Sequence, residues 1–461
     1  RCRLVARDFK GGEKGRDDLF AATPPLEAKR LLFSRAATRR PDGRRRKLLF
    51  IDAKKAHLNP VCSEPTYIEL PEEVAGRKGM CGRLNFWLYG FRPAAAAWED
   101  LYATRYEECG FVRGEASPVV FSHRSRDLQV VVHGDDFTCC GLDEDLDWIT
   151  EQMRSWFDIK VRARLGPDGG DDKEVVILGR TVRWTDSAIE YEADKKHRRI
   201  LLEKFGLEPG KSRILTVNGD KDRREDADWE LEDMPKQEAT EFRALAARLN
   251  FLGQDCPDVQ YPAKEISREM SSPKVGSWKR LKKVVRFLLT REKVVWRFVW
   301  QDEPANMDVD CDSDWGGSRD SRKSTRGGVI MFGLHPIKTW SATQGAYALS
   351  SAEAEFYAMV EGVIRLKGLV SLAYELGFCN LSSVLNLGTD SSAAKSFVSR
   401  RGLGKMRHLE VKHLWLQKEV AEGRVVVRKV KGSENAADLM TKILGQKEVE
   451  ERLWRMSVIA S

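Results

Sequence analysis

The sequence predicts a multidomain protein, an α+β portion followed by an α/β portion, and three observations carry that reading. The chain has 461 residues, more than one hydrophobic core usually supports. A polar, charged tract over 216–238, which includes Asp220-Lys221-Asp222-Arg223-Arg224-Glu225-Asp226, reads as an exposed linker. Beyond Glu303, strand-like segments alternate with helices, the pattern of an α/β domain. Hydrophobic residues at 42% and charged residues at 32% belong to folded protein and argue against a disordered chain. No run reaches the roughly 20 apolar residues that cross a bilayer, so no membrane partner is expected. The opening Arg1-Cys2-Arg3-Leu4-Val5-Ala6-Arg7 is too charged for a signal peptide, and the cytoplasm or nucleus is the expected compartment. The absence of an initiating Met suggests a piece of something longer. Nine scattered cysteines and seven isolated histidines indicate neither a disulfide framework nor a structural zinc module. A net charge of +8 leans towards polyanions, although a solvated surface often produces the same balance.

Taken in order, the basic turn Arg39 to Lys47 leads into Leu48-Leu49-Phe50-Ile51-Asp52, a short apolar run read as a buried strand ending at a carboxylate. Leu84 to Tyr106 has helix-like apolar spacing and is rich in Ala. Asp127 to Gly141 reads strand, tight turn, strand, with Asp135-Asp136 at the tip. Glu174 to Trp184 resembles one further strand, and Lys195 to Phe205 a basic helix. Helical stretches follow over about Ala239 to Leu252 and Lys274 to Leu289. Then come strands at Val329–Phe332 and Arg424–Val430, with helices near Ser350–Leu376 and Ser391–Arg400.

Asp52, Asp135 and Asp136 lie where acids are awkward, since half-buried like charges repel unless a cation sits between them. Hard oxygen ligands with few histidines suit Mg²⁺. Two such ions would stabilise the attacking and leaving oxygens of nucleotidyl transfer. Adjacent hairpin residues point to opposite faces, so Asp135 is expected to be the better ligand and Asp136 the poorer. Asp and Gly are also favoured in turns for their own sake. The second half repeats the theme with Asp312, Glu355, Asp390 and Asp438, in the order strand, helix, strand end, helix start. Glu353 and Glu355 are two apart on one helix and cannot share a face, so only one of them can point at a site.

At these residues the chain resembles the polymerase region of copia-type retrotransposon polyproteins. Arg3-Leu4-Val5-Ala6-Arg7 is similar to the family's opening segment. Phe50-Ile51-Asp52-Ala53-Lys54-Lys55-Ala56-His57 resembles its first catalytic motif, and Tyr67-Ile68-Glu69-Leu70-Pro71 the short segment that follows. Leu88-Tyr89-Gly90-Phe91-Arg92-Pro93 through Trp98 resembles the template and nucleotide motif, and His133-Gly134-Asp135-Asp136 stands at the Tyr-Val-Asp-Asp box. Further on, Asp312-Ser313-Asp314-Trp315, Arg322-Lys323-Ser324-Thr325, Ala348-Leu349-Ser350-Ser351-Ala352-Glu353-Ala354-Glu355, Arg407-His408-Leu409-Glu410-Val411-Lys412-His413 and Ala437-Asp438-Leu439-Met440-Thr441-Lys442 follow the family's ribonuclease H order.

The resemblance implies a reverse-transcriptase palm and fingers with a helical thumb or connection, then a ribonuclease H-like α/β domain. The expected divisions are 1–215 for fingers, palm and the start of the thumb, 216–238 for the linker, 239–303 for the helical thumb or connection, and 304–461 for the ribonuclease H-like domain. It implies an RNA-directed DNA polymerase with ribonuclease H activity. Asp52, Asp135 and Asp136 would form one metal triad; Asp312, Glu355, Asp390 and Asp438 would hold the ions of a second site. Each site would take two Mg²⁺, with Mn²⁺ as the alternative. His57, Tyr89, Gly90, Arg92 and Trp98 would line the nucleotide and template. Partners would be an RNA template, a DNA primer, an RNA–DNA hybrid and dNTPs, and the setting a cytoplasmic virus-like particle or the nucleus. His408 and His413 match family positions without an assigned role.

Three departures bear on activity. His57 replaces the usual Phe, which is expected to exclude a 2′-OH. His133-Gly134 replaces Tyr-Val and should loosen the hairpin. Ala94-Ala95-Ala96-Ala97 replaces Gln-Ala-Pro-Arg and deletes an amide and a cation. The family's protease and integrase regions are missing, which suggests a fragment or a relic. A catalytically inactive relic, or a nuclease with only the second activity, is the alternative expectation.

Overall fold

The computed structural model describes residues 4–8, 19–70, 79–208, 231–318, 321–404, 408–409 and 411–461. They form two compact units, one made of 1–36, 40–172 and 371–379, the other of 37–39, 173–370 and 380–461. Most of the charged tract lies outside the described residues. So do Arg3, Pro71, Arg407 and Glu410.

The first unit contains α1 (Leu26–Ala37), β1 (Lys47–Ala53), β2 (Tyr67–Glu69), β3 (Cys81–Arg83), α2 (Ala94–Glu108), β4 (Val112–Arg113), β5 (Val120–His123), β6 (Leu128–His133), β7 (Asp136–Gly141), α3 (Asp143–Trp156) and β8 (Ile159–Leu165). Six strands form one antiparallel sheet in the order β4-β5-β6-β7-β1-β8. The apolar run Leu48–Ile51 is buried throughout, as expected of a strand covered on both faces. Alternate residues Leu49, Ile51 and Ala53 join Val130, Val132, Phe137 and Cys139 on one sheet face. There they pack against Trp98, Tyr102 and Tyr106 of α2 and Leu146, Ile149 and Met153 of α3. Asp52 therefore lies on the other face, since strand side chains alternate.

Two expectations are corrected in these elements and their successors. The helix expected from Leu84 begins only at Ala94. Pro93 has no N–H to give to a preceding turn, so it starts a helix but does not continue one. The single strand expected over Glu174–Trp184 is a hairpin, β9 (Glu174–Ile177) and β10 (Arg180–Trp184). Leu178 and Gly179 both have positive φ, 48° and 80°, the geometry of a two-residue turn whose twist suits a hairpin.

The second unit continues with β11 (Ala188–Glu192), α4 (Lys195–Lys204), α5 (Lys236–Gly253), α6 (Pro257–Arg268), α7 (Val275–Phe287), β12 (Val294–Val299), β13 (Met307–Ser313), β14 (Thr325–Phe332) and β15 (His335–Thr343). Then follow α8 (Ser351–Glu375), β16 (Leu385–Thr389), α9 (Ser392–Val398), α10 (Trp415–Ala421), β17 (Val425–Lys429), α11 (Gln446–Arg455) and β18 (Val458–Ala460). One five-stranded sheet runs β18-β12-β11-β10-β9; the other runs β15-β14-β13-β16-β17. In the latter β13, β14 and β15 are antiparallel neighbours, whereas β13, β16 and β17 run parallel, with helices filling the crossovers. This mixed sheet positions the second set of acids.

Candidate functional site

β13 ends in Asp312-Ser313, and Asp390 directly follows β16. The two strands are parallel neighbours, so both acids emerge at the same end of the sheet, at the C-termini of these strands. α8 delivers the third. The Ser350 hydroxyl accepts from the Glu353 amide at 3.2 Å, which fixes the start of the helix. Asp312, Glu355 and Asp390 each offer an oxygen within 4.8 Å of the others. Asp312 and Glu355 are buried, Asp390 half-buried.

Glu355 Oε1 accepts from the Ser313 amide at 3.1 Å, while Oε2 is buried without a hydrogen-bond partner among the described residues. Burial, then repulsion by Asp312 and Asp390, pushes the Glu355 carboxyl up. Burial likewise raises Asp312, against the opposing pull of Lys442 and Thr441. A buried acceptor without a donor is costly, and a hard divalent cation is the partner that three converging carboxylates suit. The residues present fit such an ion.

Asp438 stands apart from this cluster. Its Oδ1 accepts from Lys442 Nζ at 2.6 Å and its Oδ2 from Arg452 at 3.1 Å. Lys442 Nζ also reaches Asp312 Oδ1 at 3.1 Å, and the Thr441 hydroxyl donates to Asp312 Oδ2. The four-acid set expected from the sequence is thus three acids together and a fourth joined to them through an ammonium. Lys442, Thr441, Arg452 and Ser313 were not anticipated. For Lys442 a signal existed, because it follows Asp438 by four residues, the spacing of side-chain neighbours on a helical turn. Glu353 does not join the site: it accepts from the Leu349 amide and the Tyr357 hydroxyl, each at 2.9 Å, and lies 2.9 Å from His408 Nε2. The His413 ring packs 4.8 Å from that of Tyr357.

In the first unit the register pairs Asp52 directly with Asp136, and directly opposed residues share a sheet face. Asp136 therefore shares a face with Asp52, whereas the expectation had Asp135 as the better ligand and Asp136 as the poorer. Asp135 is exposed in the turn, where its carbonyl accepts from the Ala53 amide at 2.9 Å. Asp136 is paired with Arg162 at 2.9 Å. Among the described residues, Asp52, Asp135 and Asp136 do not bring three ligand oxygens together as the second set does.

Gly134 has φ 65° at the first position of the two-residue turn, a conformation glycine adopts without strain. It suits the turn rather than loosening it. Trp98, expected at the nucleotide, is buried and donates from Nε1 to the Gly134 carbonyl at 2.9 Å. Its indole braces the acidic hairpin from the core and offers no surface to a nucleotide. Ala94 and Ala96 are buried at the start of α2. The His57 and Tyr89 rings lie 4.9 Å apart; burial lowers the His57 pKa, with Asp135 opposing. Gly90 lies against the Ala6 carbonyl, and the Arg92 amide donates to Asp8 at 3.1 Å.

No family model matches the chain. It is 24% identical over 469 residues to the retrovirus-related Pol polyprotein from transposon TNT 1-94 of Nicotiana tabacum, covering 98% of this chain and 33% of that relative. It is 24% identical over 407 residues to the transposon Ty1-DR1 Gag-Pol polyprotein of Saccharomyces cerevisiae, covering 86% of this chain and 23% of the relative. The chain therefore spans a third or less of the length of these relatives. Among solved structures, RNase H1 from the halophilic archaeon Halobacterium salinarum matches 30% of this chain and 94% of its own, at 15% identity and a TM-score of 0.22. Over most of its length, the chain is a homologue of the Pol polyproteins of copia-type and Ty1 retrotransposons.

Proposed function

We propose that the chain is an RNA-directed DNA polymerase with ribonuclease H activity, and that Asp312, Glu355 and Asp390 serve hydrolysis of the RNA strand of an RNA–DNA hybrid. The observation that carries the hydrolytic half is the buried, unpartnered Glu355 Oε2 beside two further carboxylates. These three residues would hold a divalent cation, Mg²⁺ or Mn²⁺. When bound, such an ion supplies Lewis-acid polarisation of a phosphoryl oxygen. The residues themselves orient the site: the Ser313 amide fixes Glu355, and burial of Asp312 and Glu355 limits water around them. Trp315 and Tyr347 are exposed near the start of α8, at 57% and 59%. Trp315 donates to the Ala348 carbonyl at 2.9 Å, and Lys323 lies over the Tyr347 ring at 5.3 Å. Aromatic faces interleaved with cations suit bases and phosphates.

The polymerase half rests on the direct register of Asp52 and Asp136, with the His57 and Tyr89 rings in tilted contact 4.9 Å apart. A second reading, a nuclease whose first unit is only a scaffold, is favoured by the Arg162 guanidinium on Asp136, which competes for a metal-binding oxygen. One experiment separates the two. An end-labelled hybrid and a primed RNA template with dNTPs are incubated with Mg²⁺. Glu355→Gln should abolish cleavage, by at least roughly 100-fold, and leave extension intact; Asp52→Asn should do the reverse. Cleavage without extension in the wild type selects the nuclease reading. Neither activity in a folded, hybrid-binding protein would mark an inactive relic.

A further inference from the structure

We infer that the Lys442 ammonium is a built-in counter-ion that occupies the place of a second divalent cation, so that the resting site takes only one. The inference rests on the metal reading of Asp312, Glu355 and Asp390 and adds a residue to it.

The oxygens of the acidic cluster fall into two classes. Those of Asp438 and Asp312 are satisfied by the chain itself. Lys442 Nζ lies 2.6 Å from Asp438 Oδ1 and 3.1 Å from Asp312 Oδ1, Arg452 takes Asp438 Oδ2 at 3.1 Å, and Thr441 takes Asp312 Oδ2. Glu355 Oε2, by contrast, is buried with no donor among the described residues, and an oxygen of Glu355 lies within 4.8 Å of one each from Asp312 and Asp390. One end of the cluster is short of a cation and the other already holds one.

The ammonium sits between two carboxylates whose side chains are only 1% and 8% exposed. In such surroundings a compact point charge neutralises both acids at once. It cannot, however, polarise two oxygens as a divalent ion would. A divalent cation entering between Asp312 and Asp438 must first displace Lys442, and Asp438 would still be shared with Arg452. With a neutral residue at 442 the buried Asp312–Asp438 pair would keep only Arg452, on Asp438 Oδ2, and the charge left uncompensated at Asp312 and Asp438 Oδ1 is what recruits an ion.

The test counts Mn²⁺ bound by the full chain, by titration calorimetry and by the electron paramagnetic resonance signal of free Mn²⁺. Every protein compared, the wild type at position 442 included, carries Asp52→Asn and Asp136→Asn, so that ions at the first unit's acids do not enter the count. Wild type should bind one ion per chain. Lys442→Gln should bind two, and Lys442→Arg, which keeps the charge, should bind one. A merely structural lysine would leave the count unmoved. Two ions in the wild type, or one in a folded Lys442→Gln, overturns the inference while leaving the metal reading in place. No ion in the wild type removes the metal reading itself, and this inference with it. Should Lys442→Gln fail to fold, Asp438→Asn decides. Retention of the single ion supports the inference, because Asp438 then belongs to the lysine and not to the resting ion. Its loss overturns the inference.

Discussion

At His335 an imidazole is committed to its neutral form. Nε2 lies 2.6 Å from the Val299 carbonyl, which can only accept, so it carries the proton; Nδ1, 3.0 Å from the Gln301 amide, accepts. Burial pulls its pKa from 6.5 down to about 4. Since the folded value lies below the unfolded one, the stabilisation is present above the unfolded pKa and lost as pH falls towards the folded pKa. The loss should reach roughly 3 kcal/mol. Urea unfolding of wild type and His335→Gln between those two pH values should therefore converge as pH drops; parallel curves would mean that the imidazole is not held neutral. Asp312 and Glu355 carry the opposite sign. Their pKa values are raised on folding, so their contribution is complete at low pH and lost as pH rises through the raised values. Divalent cation should relieve that loss. Mg²⁺ is expected to raise the melting temperature more at about pH 8 than at about pH 5, with removal by chelator reversing the gain. An equal gain at both pH values, by calorimetry, would count against these carboxylates as ligands. That one of Glu353 and Glu355 must turn away was legible in their spacing. Which one was not, because the rotation of α8 is set by packing: Gly362, seven residues from Glu355, lies so close to Cys311 of β13 that a Cβ would overlap its sulfur.

The strands of the second sheet are tied by a glycine that carries no chemistry of its own. Asp310 lies beside Gly388 in β16, which in turn lies beside Arg428 in β17. The Asp310 carboxylate crosses over Gly388 to reach the Arg428 guanidinium. A Cβ at position 388 would overlap that carboxylate, so Gly388→Ala should cost on the order of 2 kcal/mol in urea unfolding. A cost under about 0.5 kcal/mol would show that the strands part easily. In the first unit, Trp98→Phe removes the donor to the Gly134 carbonyl. It should destabilise by about 1 kcal/mol and reduce primer extension while sparing hybrid cleavage. Elements were legible where one segment's own pattern was enough: the apolar run of β1, the hairpin β6–β7, the Ala-rich body of α2, the long α8. They were not where distant partners decide. β8 reads Ile159-Lys160-Val161-Arg162-Ala163-Arg164-Leu165 and looks solvated, yet it lies alongside β1. Only that pairing makes it a strand and brings Arg162 to Asp136.

At the scale of the whole chain, the alternation of strands and helices beyond Glu303 was legible in the pattern, but the strand that finishes the second unit was not. β18, three residues long, pairs with β12 from Trp296↔Val458 to Val294↔Ala460, and the ends are locked by exchanged amides of Lys293 and Ser461. Nothing in so short a segment announces a partner that far upstream. A fragment of residues 304–461 would leave β18 without β12 and should melt at least roughly 5 °C below one of 173–461 in a calorimetric comparison; equal melting would mean that β18 contributes nothing. The same pairing sets a timetable on the ribosome. The first unit's six-stranded sheet has all its strands once Leu165 is made, whereas the sheet that opens at Glu174 must wait for Ala460. At about 5–20 residues per second that interval is roughly 15–60 s. Until then the edge of β12 that β18 will cover, Val294 to Trp296, lacks its strand partner. A nascent second half therefore presents an open strand edge, the kind of surface a chaperone shields, until its last residues are made.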